Sequence, residues 1–155
     1  MTPSSEVLAT SEMFETNCQI CSVPTISVYY RGTDKHIEVK PTPIPVYFNT
    51  VNKLLAANPG AEILIQTDQA QVRELFVREY GHSCKYIKEL PVTKGTVAIH
   101  SDKRLCGNRE HFAKNLFAMC VAISKSQVVI TSTGNVGFFL ALHSLIAGKQ
   151  VIQFS

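Results

Sequence analysis

The chain has 155 residues, of which 45% are apolar and 17% charged, and it carries a formal net charge of +3. That length suits one globular domain, the apolar share excludes disorder for most of the chain, and the charge is too small and too scattered to track a nucleic-acid backbone. Cys18, Cys21, Cys84, Cys106 and Cys120 are an odd set at irregular spacing, which argues against a disulfide framework. Cys18 and Cys21 form a C-x-x-C pair but follow no strand and have no second pair at zinc spacing, so they read as free thiols.

Residues 1–23 are rich in Ser, Thr and Glu with weak periodicity and read as a loose lead-in, with room for a short helix around Val7–Phe14. The start lacks the basic and apolar parts of a signal peptide. The longest apolar stretch, Val136–Ala147, is far short of the ~20 residues that span a bilayer, so no membrane insertion is expected. The default compartment is the cytoplasm. A lumenal one (ER or Golgi) would follow if the sequence is a piece of a longer enzyme.

The main body, 24–155, begins with Thr25-Ile-Ser-Val-Tyr-Tyr30, an alternating β-branched and aromatic strand that ends in the polar loop Arg31–Lys35. Pro43 and Pro45 open a helix whose buried stripe is Tyr47, Val51, Leu54 and Leu55, and Asn58-Pro59-Gly60 stops it. Glu62–Gln66 is a second strand. Thr67 and Asp68 follow as N-cap candidates, with Gln71 placed for a capping box and Val72, Leu75, Phe76 and Tyr80 as the next helical stripe. Cys84–Ile87 is a short third strand. A long connection, 88–108, contains a minor strand at Thr96–Ile99, and loops of this length are often functional. A helix over 109–124, a buried strand at Gln127–Thr131, the polar turn Thr131–Asn135, a helix over 136–147 and a last strand at Gln150–Phe154 complete the chain. Such alternation predicts an α/β fold, a Rossmann-like parallel sheet with helices on both faces.

Ligands of open parallel sheets bind at the carboxyl ends of the strands, where three polar loops converge here. The first offers Arg31, a bidentate cation for phosphate oxygens, with Gly32, Thr33 and Asp34 around it. The same residues also make an ordinary solvated turn with a surface ion pair. The second offers Thr67 and Asp68, the latter as an acceptor for a base or ribose or simply as a helix cap. The third, Ser132-Thr133-Gly134-Asn135, leads into a helix whose free N–H groups attract anions, or serves as that helix's own cap. No glycine fingerprint, Walker lysine, nucleophile elbow, histidine ligand spacing or paired metal-binding carboxylate is present, so neither metal nor resident cofactor is expected.

In these loops the sequence resembles the fucosyltransferase superfamily (the α-1,2, α-1,6 and protein O-fucosyltransferases). Ser27-Val-Tyr-Tyr-Arg-Gly-Thr-Asp-Lys35 is similar to the family's strand followed by His-x-Arg-x-Thr-Asp-Lys. Ile65-Gln-Thr-Asp-Gln69 is similar to its strand ending in Ala-Thr-Asp-Asp, and Ile130-Thr-Ser-Thr-Gly-Asn-Val136 to its Thr-x-Ser-Ser-x-Val turn. The resemblance runs from about Thr25 to the end of the sequence. It implies the C-terminal, donor-binding half of a GT-B glycosyltransferase: two Rossmann-like halves, GDP-fucose or a related nucleotide sugar as donor, and metal-independent inverting transfer to a glycan or protein acceptor. Carried over, Arg31 would bind the β-phosphate and stabilise departing GDP, Asp68 would lie near guanine or ribose, and Thr133, Gly134 and Asn135 would cradle phosphate. Two positions depart from the pattern. Tyr29 stands where the family has a base-contacting histidine, and Phe138 where it often has an arginine. The family's N-terminal half has no counterpart, so a partner domain or oligomer is expected to supply the acceptor site. The alternative is a nucleotide-binding module, or a fragment, without turnover.

Overall fold

A computed structural model describes residues 3–33, 42–95, 99 and 108–154. Five strands form one all-parallel sheet in the order β3-β2-β1-β4-β5: β1 (Thr25–Tyr30), β2 (Glu62–Thr67), β3 (Cys84–Lys85), β4 (Val128–Ser132) and β5 (Gln150–Phe154). The helices are α1 (Ser5–Cys18), α2 (Ile44–Ala57), α3 (Ala70–Tyr80), α4 (Arg109–Ile123) and α5 (Asn135–Ile146). The protein is therefore α/β with a Rossmann-like arrangement.

Strand parity divides the core in two. Ile26, Val28, Ile63, Ile65, Val128 and Ile130 pack with Tyr47 and Val51 of α2 and with Val72 and Phe76 of α3. The alternate positions Tyr29, Leu64 and Val129 pack with Phe14 of α1, Met119 and Ile123 of α4, and Leu140 of α5. Both faces of the central strands are thus covered, which is why they read as near-continuous apolar runs. Successive crossovers run one way from β1 through β2 to β3 and the other way from β4 to β5. With right-handed connections, α2 and α3 fall on one face and α5 on the other. The direction in which strands are added to the sheet reverses between β1 and β4, where a parallel sheet opens a crevice at its carboxyl edge.

Residues 5–18 form four turns of helix, which contain and extend the short helix expected around Val7–Phe14. Ser4 caps α1 by accepting from the Val7 N–H at 3.4 Å, and Gln19 ends it in the left-handed conformation, φ 55°. Its buried positions are Val7, Ser11, Phe14 and Cys18, a helical stripe with only two strongly apolar members. The Ser11 hydroxyl is accommodated in the core by donating to Glu15 Oε1 at 2.9 Å. Ion pairs Lys114–Glu6 and Lys125–Glu15, both 2.7 Å, tie α1 to α4 and its end. The third strand is shorter than expected, and the minor strand expected at 96–99 lies outside the described residues except for Ile99. On α5, Phe138, Leu142, Leu145 and Ile146 are exposed at helical spacing and form an apolar outer stripe. No helix among the described residues is long and apolar enough to cross a membrane.

Candidate functional site

A cavity of about 180 Å³ opens at the carboxyl ends of β1 and β2, on the α4 side of the sheet. Tyr29 and Gln66 are register partners on the adjacent strands and project to the same face, forming its floor. Thr67, the last residue of β2, and Arg31 and Asp68 from the loops that follow the two strands line it as well. Leu90, Pro91 and Ile99, Phe112, Leu116 and Met119 of α4, and Val136 of the first turn of α5 complete the lining. The walls are mainly apolar and the polar groups gather at the strand ends, which is the usual composition of a small-molecule site.

The turn Thr67–Gln69 holds the rim together. Asp68 does not cap α3, because its carboxylate reaches across to the loop after β1. Oδ1 accepts from the Gly32 N–H at 3.0 Å, while Oδ2 accepts from the Thr33 hydroxyl at 2.6 Å and the Thr33 N–H at 3.4 Å. Thr33 is 1% exposed, so these donors have little access to water and depend on Asp68. The residue capping α3 is Gln69, with no side-chain cap bond. Its Nε2 donates instead to Gly32 O at 3.1 Å and Gly95 O at 3.0 Å, joining the β1 loop to the far wall. That wall is stitched down further. The Thr93 N–H donates to Asp68 O and the Ala70 N–H to Thr93 O, each at 2.9 Å. Arg73 donates to Leu90 O at 3.2 Å and stacks its guanidinium 4.4 Å from the centre of the Tyr86 ring. Burial holds the Arg73 pKa below its ordinary value, with the Tyr86 hydroxyl opposing.

Close approach favours glycine at position 32. A Cβ there would lie 2.3 Å from Gln69 Oε1 and 2.7 Å from Tyr30 Cε1. Burial first, and then the nearby Asp68 carboxylate, push the Tyr30 phenol above its ordinary 10.0.

The third polar loop is differently placed. The pairing of Val28 with Ile130 puts the ends of β1 and β4 side by side, so the β4–α5 turn shares the carboxyl edge with Arg31. Within that turn, Ser132 has the parity of Ile130 and Val128, and its hydroxyl sits on the opposite face near Tyr47, where neither group makes a hydrogen bond of good geometry. Burial raises the Tyr47 phenol well above its ordinary value, and the neighbouring Ser132 hydroxyl only partly offsets this. The Thr133 N–H donates to Phe154 O at 3.0 Å and so belongs to the sheet edge. Thr133 and Asn135 are exposed. Gly134, φ 129°, is the N-cap of α5 and supplies no side-chain bond, so the first-turn N–H groups lack the capping bond that the Ser132–Asn135 turn was expected to offer as the alternative to an anion site.

Of the residues singled out in the sequence, Tyr29, Arg31, Thr67 and Asp68 line the cavity, and Gly32 and Thr33 are held by Asp68. Ser132 faces away, Thr133, Gly134 and Asn135 are not among the cavity-lining residues, and Asp34 lies outside the described residues. Gln66, Gln69 and the α4 residues Phe112, Leu116 and Met119 were missed as site residues. The signal available for Gln66 was a polar residue inside an otherwise apolar strand. Cys18, Cys84 and Cys120 are free and buried, and burial pushes their thiols up to about 11, about 12 and about 12. A redox-active C-x-x-C needs a lowered value, and Cys18 moves the opposite way.

No protein-family model matches the chain, and no curated protein matches it significantly. Fold and site together define a Rossmann-like α/β domain with a preorganised, mostly apolar cavity at the carboxyl ends of β1 and β2.

Proposed function

We propose that this chain is the nucleotide-sugar-binding domain of a fucosyltransferase-like glycosyltransferase, taking GDP-fucose or a related donor. The observation that carries the reading is the Asp68 clamp. Two backbone N–H groups and a hydroxyl of the segment directly after Arg31 converge on one carboxylate. A loop fixed in this way presents a guanidinium at the cavity rim at little further ordering cost, as recognition of a diphosphate requires. The first-turn N–H groups of α5 lie along the same sheet edge and add positive potential for a phosphate. In transfer, Arg31 would stabilise the charge that develops on the departing diphosphate.

Donor binding is the part of the reaction these residues can perform. The acceptor, a glycan or a protein, would be held by a partner domain or a second subunit. The exposed stripe Phe138, Leu142, Leu145 and Ile146 is a surface of the chemistry such a partner would cover. A second reading, a binding module without turnover, is favoured by one observation. Asp68 is the only carboxylate among the described lining residues, and it is engaged by Gly32 and Thr33, which leaves it poorly suited to act as a general base.

Calorimetric titration with GDP tests the proposal. Charged hydrogen bonds contribute about 1.5–3 kcal/mol each, so Arg31→Ala should weaken GDP binding by roughly ten- to a hundredfold. Equal affinity of the parent and Arg31→Ala proteins would refute the assigned role. Release of free sugar from GDP-fucose, or its transfer, would exclude the module without turnover.

A further inference from the structure

The cavity floor contains a polar group that the fold itself does not satisfy. Gln66 is 4% exposed, and its Oε1 has no hydrogen-bond partner among the described residues. Strand parity could have made the residue apolar at no structural expense: Leu64 precedes it on the same face, and Met119 and Leu116 pack opposite. A carboxamide kept in such a place without a partner is costly unless something else supplies one.

We propose that the cavity receives the nucleobase of the bound nucleotide and that Gln66 reads its hydrogen-bonding edge. This rests on the nucleotide reading above and assigns the base-recognising residue within it. The lining suits a flat, weakly polar ring: Leu90, Pro91, Phe112, Leu116 and Met119 give it an apolar surround. The polar edge of that ring would face the floor, where Tyr29 and Gln66 sit side by side. Arg31 lines the same cavity at its rim, so a base on the floor leaves the diphosphate next to the cation.

A carboxamide offers one acceptor and one donor group, and a half-turn about its last bond exchanges them. Guanine complements it through N1–H and O6. Glutamate at the same place would accept from N1–H and the exocyclic amino group, which keeps guanine and disfavours bases that present an acceptor to it.

The experiment is calorimetry with GDP, ADP, UDP and inorganic pyrophosphate on the parent, Gln66→Leu and Gln66→Glu proteins, with thermal melts of each unliganded form. Gln66→Leu should melt no lower than the parent, because it removes an unsatisfied buried amide. It should bind GDP roughly tenfold more weakly, the loss of one or two hydrogen bonds, with pyrophosphate binding unchanged. Gln66→Glu should retain GDP and lose affinity for ADP and UDP. If the parent binds GDP and both variants bind the nucleotides as the parent does, the role of Gln66 is wrong and the nucleotide reading stands. If the parent binds no nucleotide, both fall. A parallel loss of pyrophosphate affinity in Gln66→Leu would show a merely structural effect and would also overturn the assignment.

Discussion

Replacing Asp68 by alanine removes the acceptor for three donors of the β1 loop at once. The Gly32 N–H contact at 3.0 Å and the Thr33 hydroxyl contact at 2.6 Å are strong, and the Thr33 N–H contact at 3.4 Å is weak. Each strong bond to a charged acceptor is worth about 1.5–3 kcal/mol, which sets an upper sum of ~3–6 kcal/mol. Asp68 is itself half-buried, so water can replace part of what is lost, and the cost of desolvating the carboxylate disappears with it. A net loss of about 2–4 kcal/mol follows, and for a chain of this size that lowers Tm by roughly 5–12 °C. Asp68→Asn should lose about half as much. Its remaining oxygen can serve the Gly32 N–H and the Thr33 hydroxyl can reverse to accept, but the Thr33 N–H then faces a donor. Urea unfolding followed by circular dichroism measures both variants against the parent. A loss below about 1 kcal/mol in Asp68→Ala would mean that the carboxylate does not hold the loop, and the preorganisation argument for Arg31 would fail with it.

Four further outcomes follow from the same structure. Gly137→Ala should destabilise by at least about 1–3 kcal/mol in chemical unfolding, since its Cβ would come 1.8 Å from Ser132 O and 2.8 Å from Thr131 Oγ1, where backbone cannot swing aside; an unchanged midpoint would refute that packing. The buried thiols of Cys18, Cys84 and Cys120 stay protonated in the folded protein above the ordinary 9.0, so stability is flat below that pH and falls as pH climbs from 9.0 towards about 11–12; a urea midpoint constant across that window would contradict it. Under native conditions iodoacetamide should accordingly modify the exposed Cys21 ahead of those three, as read by peptide mass spectrometry. Leu145→Lys, at a position 60% exposed on α5, should leave Tm within the equivalent of about 0.5 kcal/mol while raising solubility, and a large destabilisation would show that the stripe is packed within the chain.

Local pattern was sufficient for much of this molecule. Alternation of β-branched residues over Thr25–Tyr30, the apolar run before Gln66, and the 3.6-residue stripes of α2, α3 and α4 each carry their own period, and their order along the chain leaves few topologies open to a parallel sheet. The same logic brings the loops after β1, β2 and β4 to one edge. It under-read the length of α1, because Ser11 and Cys18 take core positions that a hydrophobic count does not credit, and their burial depends on α4, more than ninety residues away. It could not assign Asp68, whose local option was to cap α3 and whose actual partners lie 35 and 36 residues earlier. Nor could it assign Ser132, since parity separates the two faces of a strand but not which face carries a cavity. Tyr29, Gln66 and Met119 become neighbours of one space only when two strands and a distant helix are packed together. Pairings of that kind are decided by long-range complementarity, to which nearest-neighbour chemistry along the chain is blind.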